Sequence, residues 1–155
     1  MDKGCWDPSE SVNIDNIDLL VSIMKYHYKN FEQLKDPDLQ LEFGNHVHSI
    51  IESLMKKIGG DNIRLKNYSL NALKDISNYP LMNYAVQIDS IMEDTGTGDN
   101  RQLVAKMELL QTLIHTHQID DKMYDARKIA NYSISKLDND DSGIKALGYT
   151  TLLRQ

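Results

Sequence analysis

The sequence predicts an all-α fold, a single-domain irregular bundle of about six helices. Two observations support this class. Apolar residues recur at steps of three and four through most of the chain, which is the spacing of one face of an α-helix. No segment alternates apolar and polar residues in the manner of a strand, so we expect little or no sheet.

Composition narrows the class of protein further. The chain has 155 residues, of which 41% are hydrophobic and 26% charged, values that are ordinary for one globular domain with a real core. A net charge of −6 gives no support to non-specific binding of nucleic acid or membranes. The one cysteine, Cys5, allows neither an internal disulfide nor a cysteine cluster for zinc.

Targeting signals are not evident in the sequence. No apolar run approaches the ~20 residues that cross a bilayer. The first residues lack the apolar core of a signal peptide, so we expect a cytoplasmic protein. The many Asn, Asp, Ile, Lys and Tyr residues fit an AT-rich coding sequence, as found in bacteria, phages and large DNA viruses.

The first two helices are delimited by prolines and glycines. Residues 1–13 are predicted to be an irregular lead-in, followed by a helix from near Asp15 that ends before Pro37, because the residue before proline avoids the helical region. Its apolar face is predicted to comprise Ile17, Leu20, Val21, Met24, Tyr28 and Phe31. Asp36 and Pro37 start the second helix as cap and first residue, and Gly59-Gly60 ends it. Its apolar face is predicted to comprise Leu39, Phe43, Val47, Ile50, Ile51, Leu54 and Ile58.

Two shorter helices are predicted next. Asp61 or Asn62 caps the third helix, and Pro80 opens the fourth. The third helix is predicted to bury Leu65, Ala72, Leu73 and Ile76. The fourth is predicted to bury Leu81, Tyr84, Ala85, Ile88 and Met92. The polar connector at residues 94–99 contains two glycines but no Gly-Lys-Ser/Thr sequence, so it is not a phosphate-binding loop.

Residues 100–137 have the longest helical pattern and leave two interpretations open. One stripe comprises Leu103, Met107, Leu110, Ile114 and His117. A second comprises Ile119, Met123, Ala126, Ala130, Ser133 and Leu137. At about 100° per residue, Leu103 and Ile119 point roughly 160° apart. One straight helix would therefore bury opposite faces along its two halves, as in an oligomer. We favour a break at residues 115–118, with Asp120 capping a second helix.

The end of the chain is predicted to be a loop at residues 138–143 and a short tail at 144–155. Tyr149, Leu152 and Leu153 in this tail either dock on the bundle or pair with another chain. The loop sequence Asp-Asn-Asp-Asp-Ser-Gly resembles the opening half of an EF-hand calcium loop, which needs oxygen ligands at alternate positions. Tyr149 stands where the bidentate glutamate belongs, so we expect a polar turn and no calcium site.

Histidines and carboxylates provide one candidate metal site. The two His-x-His sequences, at positions 46–48 and 115–117, cannot chelate by themselves on helices, because side chains two residues apart diverge. One histidine from each, with a carboxylate four residues away, would suit a divalent ion between two helices. This set comprises Glu42, His46, His117 and Asp121. No Glu-x-x-His or His-Glu-x-x-His sequence accompanies it, so we expect these side chains to serve the fold, with no cofactor bound.

A small basic cluster is the one candidate for nucleic-acid binding. It comprises Lys56, Lys57, Arg64, Lys66 and Lys74, with Tyr68 among them. Basic and aromatic side chains together contact nucleic-acid backbone and bases. The charges are few, so we expect a solvated surface.

These patterns predict a non-enzymatic interaction protein: an adaptor, an inhibitor or an assembly component that acts through amphipathic helix faces. Its partner would be another protein or a second copy of the chain. Candidate partner-binding residues are Trp6, since tryptophan is enriched at binding hot spots, and Ala126 and Ala130, where small side chains let a helix approach. The alternatives are a metal-dependent helical hydrolase using the carboxylate–histidine set and a nucleic-acid-binding regulator using the basic cluster.

Overall fold

The computed structural model describes residues 8–31, 37–79, 84–93, 99–119 and 124–153. Over these residues the fold is all-α, which confirms the predicted class, with seven helices and no strand. The helices are α1 (Pro8–Phe31), α2 (Pro37–Ile58), α3 (Ile63–Ile76), α4 (Tyr84–Met92), α5 (Asn100–His117), α6 (Ala126–Ser135) and α7 (Ser142–Leu152). None of these helices is long and apolar enough to cross a membrane.

The seven helices contribute to one cluster of buried apolar side chains. α3 packs against α1 and α2, α5 packs against α2, α4 and α7, and α6 packs against α7. Large side chains that are fully buried include Ile51, Ile58, Leu73, Ile76, Ile88, Ile91, Met107, Leu109, Leu110, Leu113 and Ile129. α5 supplies four of them, so this helix is the centre of the fold.

The first helix begins earlier than the sequence predicted. α1 starts at Pro8, so residues 8–13 are helical and the predicted lead-in of residues 1–13 is wrong over that part. Proline suits the first helical position because it has no N–H to leave unpaired and its φ is already helical. Residues 1–7 lie outside the described part of the chain.

The predicted start and end of the second helix and the predicted start of the third are confirmed, while the predicted cap Asp36 lies outside the described residues. α2 runs from Pro37 to Ile58, and Asn62 caps α3 by accepting a hydrogen bond from the Leu65 backbone N–H at 3.0 Å. The reason for glycine after α2 differs from the prediction. Gly59 is not in a left-handed conformation; a Cβ on it would lie 2.6 Å from the Cβ of Gln102. Gly59 therefore allows the end of α2 to approach α5 closely.

The long pattern at residues 100–137 is broken, as predicted. α5 ends at His117, and Gln118 adopts a left-handed conformation with φ 48°, while its backbone N–H donates to the carbonyl of Ile114. The cap of α6 is Asp125, which accepts from the backbone N–H of Arg127. The predicted cap, Asp120, lies outside the described residues.

The predicted buried face of α6 needs correction. α6 buries Ser133, as predicted, together with Ile129 and Tyr132, which the prediction left out, whereas Ala126 and Ala130 are only half-buried. The prediction extended the phase from Ile119 across the break. Because α6 starts anew after the break, its phase is set by its own large apolar residues.

The predicted short tail at residues 144–155 lies mostly in a helix, α7, which spans residues 142–152. Asp141 caps this helix and Ile144 is fully buried. Gly148 packs so closely on α6 that a Cβ there would lie 2.9 Å from the Ser133 carbonyl oxygen. The tail therefore docks on the bundle as a helix, while Tyr149 and Leu153 remain exposed.

Candidate functional site

The most unusual surface feature in the described part of the chain is a second apolar stripe on α1. Leu19, Ile23 and Tyr26 are 59%, 45% and 69% exposed. Their spacing of four and three residues places them on one side of the helix. We call these three residues the outer stripe.

The opposite side of α1 holds the helix on the fold. Ile14, Ile17 and Val21 are buried there and lie roughly 180° from the outer stripe at about 100° per residue. An ion pair between Lys25 and Asp75, 3.1 Å apart, joins the edge of α1 to α3. Because the buried side chains fix the rotation of α1, the outer stripe must face solvent.

The outer stripe was missed by the sequence interpretation, which assigned α1 a single apolar face. Ile17 and Val21 are buried and Leu20 is half-buried, as predicted. The side chains of Met24, Tyr28 and Phe31 lie outside the described ones. The signal that would have revealed the outer stripe is present in the sequence: apolar residues at 19, 23 and 26 repeat the helical spacing with a different phase.

The candidate metal residues are only partly visible. His46 is exposed on α2, and the side chains of Glu42 and Asp121 lie outside the described ones. His117 is half-buried at the end of α5. Among the described residues, no group of three or more His, Cys, Asp or Glu side chains is placed to hold a metal ion.

His117 connects three helices through polar and aromatic contacts. Its Nε2 lies 2.8 Å from the Oγ of Ser77, the buried C-cap residue of α3. Ser77 Oγ also donates to the carbonyl of Lys74 at 2.6 Å. Because the hydroxyl has one hydrogen, Nε2–H of His117 is the donor to Ser77. The imidazole ring also packs on Tyr84 of α4, with centroids 4.8 Å apart.

Burial lowers the pKa of His117 below its ordinary value. The folded state thus binds a proton on this ring less readily than the unfolded state. The neutral ring contributes stability at pH values above the pKa that His117 has in the unfolded state. This contribution is lost as pH falls through the pKa that His117 has in the folded state. We expect the free energy of unfolding to decrease between about pH 7 and pH 5, and His117→Gln to reduce that decrease.

Urea unfolding at a series of pH values would measure this effect. His115→Gln is the matched control, since it removes an exposed imidazole from the same last turn of α5. The proposed role of His117 would be wrong if both variants kept the full wild-type pH dependence.

The acidic segment at residues 138–143, predicted to be a loop, provides the cap and the first two residues of α7. Asp141 Oδ1 accepts from the backbone N–H groups of Gly143 and Ile144, at 2.8 and 3.3 Å. Asn139 Oδ1 accepts from the backbone N–H of Asp141 at 2.9 Å. These oxygen atoms orient the loop toward the start of α7, so the geometry is that of a polar turn.

The basic cluster has acidic neighbours. Lys66 lies 3.8 Å from Glu108 of α5, and Lys57 and Arg64 also have interaction partners. Lys56 and Lys74 are exposed. At least one cation of this surface, Lys66, is therefore paired with a carboxylate.

A surface cleft of about 320 Å³ lies beside this cluster, where α2 ends and α3, α5 and α7 begin. Arg101 is its most prominent cation, but it pairs with Asp61 and, at 2.8 Å, with Asp99. Lys66 and Asp141 also line the cleft. Since cations and carboxylates neutralise each other here, the cleft favours neither an anion nor a cation.

The candidate partner-binding residues have different positions. Trp6 lies outside the described residues. Ala126 and Ala130 are half-buried on α6, and farther along α6 the close helix approach is made by α7 of the same chain, at Gly148.

Comparison of the chain with known protein families, with curated proteins and with solved structures found no match.

Proposed function

We propose that this protein is a non-enzymatic interaction module that binds a helix of a protein partner on the outer stripe of α1. The observation that carries the proposal is the pair of apolar stripes on opposite sides of α1. One is buried in the fold and the other lies in solvent. Scattered exposed apolar residues are normal, but an aligned row on one helix face is typical of an interaction surface.

The spacing of the outer stripe favours a helix as the partner element. Residues four and then three apart form the seam into which the side chains of another helix pack as knobs into holes. A strand or an irregular peptide has no matching period. A partner with its own apolar stripe would therefore bury Leu19, Ile23 and Tyr26 together.

α1 is also preorganised for binding, because the rest of the fold holds it in place. Its inner side chains and the Lys25–Asp75 ion pair hold the helix in place, so little conformational entropy is lost when the outer stripe is covered. Of the charged groups in the other candidate sites, Asp141 caps α7 and Lys66 pairs with Glu108. These contacts rank the hydrolase and nucleic-acid alternatives below an interaction module.

Site-specific photocrosslinking in expressing cells would test the proposal. A photoreactive amino acid replaces Ile23 in the full chain, and in a control it replaces Ile134, which has the same side chain and is 52% exposed on α6. We expect a discrete covalent protein adduct at position 23 that is lost when Leu19→Asp is added. Equal labelling at both positions, or none at position 23, would contradict the proposal.

A further inference from the structure

We propose that the helix received by the outer stripe is α1 of a second copy of this chain, paired in parallel and in register. This inference rests on the proposed function above and names its partner. It is based on the chemistry of four exposed positions on α1: Asn16, Leu19, Ile23 and Tyr26.

These four residues occupy the core positions of a coiled-coil seam. In a heptad written a to g, the spacing places Asn16 and Ile23 at a and Leu19 and Tyr26 at d. A β-branched residue at a and leucine at d favour two-stranded parallel pairing. The seam therefore has the side-chain preference of a parallel dimer, in the part of α1 that the fold leaves in solvent.

Asn16 favours a partner identical to this chain. Its amide group both donates and accepts hydrogen bonds, so it is satisfied by the same amide across a two-fold axis. Parallel, in-register α1 helices place the two Asn16 side chains in one layer. In an antiparallel pair, a positions meet d positions, so Asn16 would face Leu19 or Tyr26 and lose this match. Asparagine at an a position is a known device for fixing register and strand number.

The described flanking positions permit this arrangement. Asp15 lies at a g position, which in a parallel pair faces the e position five residues farther along the other helix. That residue is Leu20 of the second copy, so no two acidic side chains meet there. Ser22, at the next g position, is uncharged and exposed.

The seam is short, and its length sets the expected strength of pairing. The seam from Asn16 to Tyr26 is about 15 Å long. The surface that it can bury is therefore smaller than that of a standard stable interface. Since α1 is already folded, association need not supply the cost of forming the helix. We therefore expect a reversible monomer–dimer equilibrium and not a permanent dimer.

Sedimentation of the full chain over a range of concentrations is the first test, with native mass spectrometry to count chains. We expect Ile23→Asp to raise the dimer dissociation constant about tenfold for each copy, about 100-fold in all. Ile134→Asp is the control, since it introduces the same charge at a similarly exposed isoleucine of α6. Asn16→Val is expected to strengthen association, because a polar residue at a costs stability. A chain that is monomeric at every concentration, or an equal loss in both aspartate variants, would overturn self-pairing.

Thiol crosslinking tests the parallel register without relying on a destabilised variant. In a Cys5→Ser background, Asn16→Cys introduces one thiol at the predicted central layer. With oxidised glutathione added as the oxidant, parallel pairing predicts rapid formation of a disulfide-linked dimer, whereas introducing the thiol at Asp18 instead gives little. A dimer that fails to crosslink at position 16 would overturn the parallel arrangement.

Photocrosslinking at Ile23 separates the two proposals. An adduct of twice the chain mass supports both the interaction module and self-pairing. An adduct with a different protein supports the interaction module and contradicts self-pairing. The absence of any adduct specific to Ile23 removes both.

Discussion

Replacing Leu110 with alanine is expected to destabilise the fold by about 2–5 kcal/mol. Leu110 is fully buried in α5, the helix that packs against α2, α4 and α7. Truncation removes apolar contacts and leaves a cavity that rigid neighbouring helices cannot fill. Since a domain of this kind has only about 5–15 kcal/mol of total stability, urea unfolding would show a large shift in midpoint.

Leu153→Ala provides the matched control for this prediction. Leu153 is 69% exposed just beyond α7, so its truncation is expected to change the free energy of unfolding by no more than about 0.5 kcal/mol. If the two variants had similar effects, α5 would not be the centre of the core.

Replacing Gly59 with alanine is expected to cost about 1–3 kcal/mol. The added methyl group would lie 2.6 Å from the Cβ and 2.7 Å from the Cα of Gln102. A Cα belongs to the backbone, so a rotamer change cannot relieve the clash and α5 must move away from α2. Chemical denaturation measures the loss.

Gly60, the neighbouring glycine, provides the comparison, because its replacement with alanine is not expected to lower the free energy of unfolding. Among the described residues, a Cβ on Gly60 would meet only the Lys57 carbonyl oxygen, at 3.4 Å. Gly60→Ala is expected to be neutral or to stabilise by up to about 1 kcal/mol, because it reduces the entropy of the unfolded chain. Equal losses at the two positions would indicate a backbone requirement and not close packing of α2 on α5.

Local signals in the sequence determined where several helices begin and end. Pro37 and Asn62 act within one or two residues of where they stand, through a missing N–H and a side-chain cap. The break after His117 was predictable because two apolar stripes cannot be buried on one side of a straight helix. The burial of Ile51, Leu73 and Leu110 followed from helical spacing alone.

The sequence did not determine which of two apolar stripes on a helix would be buried. Ile17 and Leu19 each belong to a row of apolar residues at helical spacing on α1. Ile17 is nevertheless in the core, and Leu19 is in solvent. The choice depends on where α3 lies, and that depends on contacts between residues far apart in the chain. The same applies to α6, where Ser133 was assigned correctly but Ile129 and Tyr132 were missed when the phase of Ile119 was carried across the break.

The sequence by itself therefore determined the fold class, several helix boundaries and much of the core, because these depend on interactions within a few residues of chain. Only the tertiary structure decided that α1 lies at the edge of the bundle with the outer stripe uncovered, and that α7 docks through Gly148. Both outcomes depend on which helices pack against one another. Helical periodicity indicates which face of a helix is apolar, but not which neighbour covers that face.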